Sequence, residues 1–152
     1  MNKLAENKDI EELAKLRVLQ QKDDWKERYS GNDQDLYNTT KKYLEEHVNK
    51  DLFTFIEILD NKIVATCGLQ IIKYMPQCVE SGTEGYICNV YTLKEYRKRG
   101  IQTRLLEKCI EFAKENNVIK IKLSTNNPEA INIYEKQGFK FDKLAMKLMM
   151  YK

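Results

Sequence analysis

Apolar residues change their spacing several times along this chain, and each change marks an element. Ile10, Leu13, Leu16 and Leu19 recur at helical spacing, and Asp9, with Glu12 three residues on, reads as a capped helix start. A second helical face runs from about Asp33 to Val48 through Leu36, Thr40, Tyr43, Leu44 and Val48. The pattern then shortens. Leu52 to Leu59 is rich in β-branched and aromatic residues, Asp60-Asn61-Lys62 turns the chain, and Ile63 to Ile72 reads as the returning strand of a hairpin. Gly68 inside that strand marks an expected bulge. After a loop over Met75–Gly85 come a strand over Tyr86–Thr92, a helix from Gly100 to about Glu115, and an alternating strand over Val118–Leu123. Asn127-Pro128 sets an N-cap with proline in the first turn of a helix that Gly138 stops. A final strand is expected over Phe139–Met150. Early hairpins followed by a strand–helix–strand unit predict an α/β fold, a mixed α+β sheet covered by about four helices.

Composition narrows this only slightly. The chain has 152 residues, which fits a single domain over 1–152, with 42% hydrophobic and 32% charged residues. A net charge of +3 is too even to point to nucleic acid. No stretch approaches the ~20 apolar residues of a membrane span. The first residues lack the apolar centre of a secretory signal, so a cytoplasmic location is expected. Cys67, Cys78, Cys88 and Cys109 match no zinc spacing, and His47 lies in a polar helix. No metal site is expected.

The candidate chemistry begins at Tyr96-Arg97-Lys98-Arg99-Gly100-Ile101-Gln102-Thr103-Arg104-Leu105-Leu106. This run joins an apolar strand to a helix through a basic turn containing glycine. A helix start leaves backbone N–H groups without intrahelical partners, at the positive end of the helix dipole. With three cationic side chains at the entrance, the segment predicts a ligand carrying phosphates.

Within that run, Arg97-x-x-Gly100-x-Gln102 resembles the acyl-CoA-binding signature Gln/Arg-x-x-Gly-x-Gly/Ala of the GNAT superfamily of N-acetyltransferases. Asn127-Pro128-Glu129-Ala130-Ile131-Asn132-Ile133-Tyr134-Glu135-Lys136-Gln137-Gly138-Phe139 resembles its second hallmark, Asn-x-x-Ala-x-x-x-Tyr-x-x-x-Gly-Phe. The resemblance is strong from about Tyr86 to Phe139 and weak before Phe53. It implies a central, mostly antiparallel sheet with one splayed strand pair, and acetyl-CoA as cosubstrate. It assigns the pyrophosphate to the amides of Arg99, Gly100, Ile101, Gln102 and Thr103, with Arg97, Lys98 and Arg99 supplying charge. It assigns the pantetheine amides to the main chain of Asn89, Val90 and Tyr91, and places Asn127 near the cofactor. Tyr134 becomes the acid that protonates the departing thiolate. Gln102 departs from the signature's small residue, and its side chain is expected to point to solvent.

For the base that deprotonates the amine, Glu84 leads, with Glu57 and Glu80 as alternatives. Cys88 is a possible nucleophile, but direct transfer needs no acyl-enzyme, and a strand cysteine without a histidine reads as core. The expected acceptor is a primary amine of a small molecule. It would be received by the first two helices, their connection and the loop Tyr74–Glu84, with Trp25, Tyr29, Tyr37, Tyr43, Tyr74 and Met75 as candidate lining. Asp23, Asp24, Glu27 and Asp33 would favour a cationic acceptor, but Lys22, Lys26 and Arg28 offset them. A protein N-terminus or lysine as acceptor, a non-catalytic acyl-CoA sensor and a nucleotide binder are the alternatives. The last strand, at a sheet edge, also makes a homodimer possible.

Overall fold

In the computed structural model, which describes residues 1–26, 29–78 and 81–150, five strands form one sheet in the order β1-β2-β3-β4-β5. They are β1 (Asn2–Leu4), β2 (Leu52–Leu59), β3 (Lys62–Lys73), β4 (Thr83–Thr92) and β5 (Lys120–Lys122). The first three pairings are antiparallel and the last, β4 with β5, is parallel. Four helices accompany them: α1 (Ile10–Asp24), α2 (Asp33–His47), α3 (Ile101–Glu115) and α4 (Pro128–Lys136). No helix among the described residues is long and apolar enough to cross a membrane.

Local chemistry accounts for the elements. Leu59 pairs with Lys62 across a two-residue turn in which Asp60 and Asn61 have φ of 50° and 59°. Positive φ at both central positions suits the right-handed twist of a hairpin, and aspartate and asparagine tolerate it. Asn32 caps α2 by accepting from Gln34 N at 2.8 Å and Asp35 N at 3.2 Å. Residues of β2 are buried on both faces: Phe53 and Phe55 meet Phe112 of α3, while Thr54 and Ile56 are 1% and 0% exposed on the other side. A strand covered on both faces reads as the continuous apolar run seen here rather than as an alternation.

Four expectations change. Asp9 stands at the N-cap of α1 as expected, but its side chain makes no capping bond there. It closes a capping box with Glu6 around a preceding 3-10 turn, and Glu12 instead accepts from Ile63 N at 2.7 Å. The bulge opposite Gly68 has its extra residue in β4. Thr66 faces Tyr91 while Gly68 faces Cys88, so β4 uses three steps where β3 uses two, and Asn89 takes φ 51°. Gly68 is needed for closeness, since a Cβ there would lie 3.0 Å from Cys88 O and 3.1 Å from its Sγ. Strand β1 was not expected, and β4 begins at Thr83, because Tyr74 N donates to Gly82 O at 2.8 Å and closes the connection from β3 early.

The largest correction is at the end of the described chain, where residues 139–150 form no strand. Alternation marks a strand only where a partner edge takes up the main-chain polar groups, and β5 presents just three residues. Leu144 and Met146 are 90% and 98% exposed. The sheet edge on which the homodimer was expected is therefore not built by this segment. Parallel pairing of β5 with β4 stops at Tyr86↔Lys122, although β4 continues to Thr92. Beyond that point the two strands part and open a cleft.

Candidate active site

The cleft holds a cavity of about 790 Å³. One wall is β4 from Tyr86 to Thr92, and the other runs from Leu123 through the start of α4 to Tyr134. The turn before α3 closes one end, and the second half of α1 lies across it. Among the described residues, no cluster of His, Cys, Asp and Glu is arranged to hold a metal ion.

The basic turn is shaped by its backbone. Lys98 and Gly100 have φ of 61° and 70°, so Gly100 enters α3 from the left-handed region and offers no side chain to cap it. The first turn of α3 carries no acidic residue, and Gly100, Ile101, Gln102 and Thr103 line the cavity. An uncapped helix start facing a cavity is an anion-binding arrangement. Lys98 also lines it. Arg97 lines it too, but its Nε donates to Thr92 O at 2.9 Å and its guanidinium lies 3.7 Å from Asp23. Arg99 is not brought to the cavity lining. It folds back to donate to Glu95 O at 3.0 Å and lies over the Tyr96 ring.

The bulged strand forms the middle of the site. Asn89, Val90 and Tyr91 all line the cavity. Gln102 explains how the bulge is held. Its Nε2 donates to Thr66 O at 3.0 Å, Tyr91 O at 2.8 Å and Thr92 Oγ1 at 2.9 Å. The side chain thus turns in against β3 and β4 instead of pointing to solvent, and its Oε1 is buried without a partner. Thr66 Oγ1 adds a bond to Asn89 O at 2.7 Å. From the other side, Gln20 Nε2 donates to Val90 O at 3.1 Å.

Tyr134 stands on α4 facing the cavity, 8% exposed, with its ring edge-on to Phe139. Burial pushes its phenol up to about 12, so it keeps its proton at neutral pH. Asn127 lines the cavity and caps α4 by accepting from Glu129 N at 3.0 Å. Tyr91 Oη donates to Asp23 at 2.6 Å, a bond that, with Lys94, holds the Asp23 carboxyl below the usual range.

Glu84 is not brought to the cavity. It sits below the split, where Lys120 and Lys122 of the paired β5 lie 3.4 and 2.9 Å from its carboxylate and hold its pKa down. Glu57 is buried on β2 and accepts from the Met1 nitrogen, away from the cavity. Glu80, Glu27 and Arg28 lie outside the described residues. Of the expected acceptor aromatics only Trp25 lines the cavity. Tyr29 bonds Asp33, Tyr43 stacks on His47, and Tyr74 and Met75 are exposed elsewhere. Cys67 and Cys109 are buried together, and burial pushes Cys88 up to about 11, which leaves it a poor nucleophile.

The first helix was expected at the acceptor site with Asp24, and the cavity lining includes Asp24; sequence reasoning missed Arg17, Gln20 and Gln21. The available signal was a polar stripe at positions 17, 20 or 21, and 24, running beside the apolar one.

Comparison with known proteins agrees with this geometry. The chain belongs to the acetyltransferase (GNAT) family, whose model matches residues 17–139. A predicted acetyltransferase from Clostridium acetobutylicum, crystallised with acetyl-CoA, is 28% identical with a TM-score of 0.86, covering 99% of this chain and 96% of that one. Among curated relatives, an N-alpha-acetyltransferase of Saccharolobus solfataricus is 32% identical over 108 residues, 64% of this chain and 63% of its own length. Streptothricin acetyltransferase A of Bacillus subtilis is 40% identical over 65 residues, 40% of this chain and 38% of its own length. The chain thus spans less than two thirds of these curated relatives.

Proposed function

We propose that the protein transfers the acetyl group of acetyl-CoA to a primary amine by direct attack. The observation that carries this reading is that one cavity joins the uncapped start of α3, the bulged main chain of β4 and the protonated phenol of Tyr134. The α3 amides at Gly100–Thr103 take the pyrophosphate, with Lys98 as the most available cation. The pantetheine arm lies along Asn89–Tyr91 like an added strand. The crystallisation of the Clostridium protein with acetyl-CoA supports this choice of cosubstrate.

The chemistry then balances on this chain's groups. The amine nitrogen donates its lone pair to the thioester carbonyl carbon and forms a tetrahedral intermediate. The C–S bond breaks with its electron pair going to sulfur, and Tyr134 supplies the proton that makes the thiol. The amine's proton passes to water in the open cleft, since Glu84 lies outside it. The acceptor we favour is a small-molecule amine, because discrete polar side chains of α1 (Arg17, Gln21 and Asp24) line the cavity. The N-alpha-acetyltransferases among the relatives favour a second reading, the N-terminal amine of a peptide.

A thiol-release assay against a panel of small amines and short peptides tests both. Release of free CoA with some member is expected, and Tyr134→Phe should lower kcat by about 10²- to 10⁴-fold while leaving acetyl-CoA affinity within about threefold. Release with no member, or full activity of Tyr134→Phe, contradicts the mechanism.

A further inference from the structure

Helix α1 follows β4 in the same direction. At its end, Asp23 meets Tyr91, Lys94 and Arg97, on the side of the basic turn. One turn earlier, Gln20 donates to Val90 O in the bulge. One turn earlier again, and so farther from the start of α3, comes Arg17, which lines the same cavity as Cys88. In the transfer proposed above, the cosubstrate enters from the α3 side and delivers its acetyl group at the bulge. Arg17 therefore lies on the side left to the acceptor.

The surroundings of Arg17 are unusual for a partly buried cation. Its guanidinium lines the cavity and donates to Gln20 Oε1 at 2.8 Å. With the Gln21 amide turned, that oxygen accepts from its Nη1 and Nη2 at 3.2 and 3.3 Å. Both partners are neutral, and Arg17 forms no ion pair among the described residues. Asp24 acts on it only from a distance and is itself drawn to Arg97. Burial lowers its pKa. A desolvated guanidinium retains a planar fork of donors that matches a carboxylate, and a charged partner repays its desolvation better than amides do.

We propose that Arg17 anchors a carboxylate of the acceptor, so that the preferred substrates are primary amines carrying a carboxylate a short distance from the nitrogen. Three residues of helix rise, roughly 5 Å, separate the Arg17 and Gln20 backbones, and the length of the arginine side chain lets it reach carboxylates at more than one spacing from the amine. A free amino acid meets the requirement, and so does a peptide with an acidic side chain next to its terminal amine. The inference rests on the acetyl-transfer reading above and adds the class of acceptor.

The test measures kcat and KM at saturating acetyl-CoA on pairs differing only in charge. One arm pairs alanine with alaninamide and β-alanine with β-alaninamide. The other pairs C-terminally amidated peptides beginning Ser-Glu and Ser-Gln. The carboxylate member is expected to have kcat/KM about tenfold or more higher in one arm, and that arm identifies the source of the carboxylate. Arg17→Gln should bring the ratio to within about twofold of one through the KM of the carboxylate member, and Arg17→Lys should keep most of it. Equal rates within both arms in the wild type, or a preference that survives Arg17→Gln, overturn the anchor while leaving acetyl transfer standing. Thiol release from no member of either arm overturns both.

Discussion

Gln102 shows how one side chain reconciles a departure from a signature with the geometry the signature serves. The family pattern has a small residue at this position, and a long polar one reads in sequence as a surface side chain. The structure turns it inward, beside the β4 bulge, where Gln102 Nε2 reaches the Thr66 and Tyr91 carbonyls. Each such hydrogen bond contributes ~0.5–1.5 kcal/mol. Gln102→Ala should therefore lower unfolding free energy by about 1–3 kcal/mol in urea titration. It should also weaken acetyl-CoA binding, because the strand proposed to receive pantetheine loses its brace. No change in either quantity would mean that the bulge holds itself. Tyr134, Asn127 and Gly100 were legible in sequence because a local motif sets their backbone. Arg17 and Gln20 were not, because their role depends on a contact between α1 and β4 some 70 residues apart in the chain.

Elements were legible where local and tertiary preferences agree. The β2–β3 hairpin is the clearest case, with apolar runs on either side of Asp60-Asn61. Asn61 sits at φ 59°, which a β-branched residue resists. Asn61→Val should cost about 1–2 kcal/mol in a thermal or urea melt, whereas Asn61→Gly should be neutral or stabilising. The expected strand over 139–150 fails for the opposite reason. Its alternating apolar residues satisfy the local pattern, but a strand needs a neighbouring edge, and the length of β5 cannot be read from its own residues. The bulge was foreseen at the right level and in the wrong strand: Gly68 marks where two backbones approach, and the extra residue lies across from it.

The cleft follows from where the sheet comes apart. Antiparallel pairing holds β1 to β4 together, and three parallel pairs hold β5 only at the base of the cleft. That leaves the upper half of β4 with main chain open to a ligand, a helix start at one end and Tyr134 across the gap. The uniform charge balance and ordinary composition reveal none of this. The two motifs do, since each fixes one wall. For the third wall, α1, the helix was expected at the acceptor site, but Arg17, Gln20 and Gln21 were not singled out. Acetyl transfer as proposed requires this cleft to bind acetyl-CoA through the start of α3 and the bulged strand. Calorimetric titration of acetyl-CoA into the wild-type protein tests it most directly. One site per chain is expected, with affinity reduced at least about tenfold by Gly100→Val, which strains the turn and crowds the helix start. Absence of a binding isotherm, or binding indifferent to that substitution, would contradict the account.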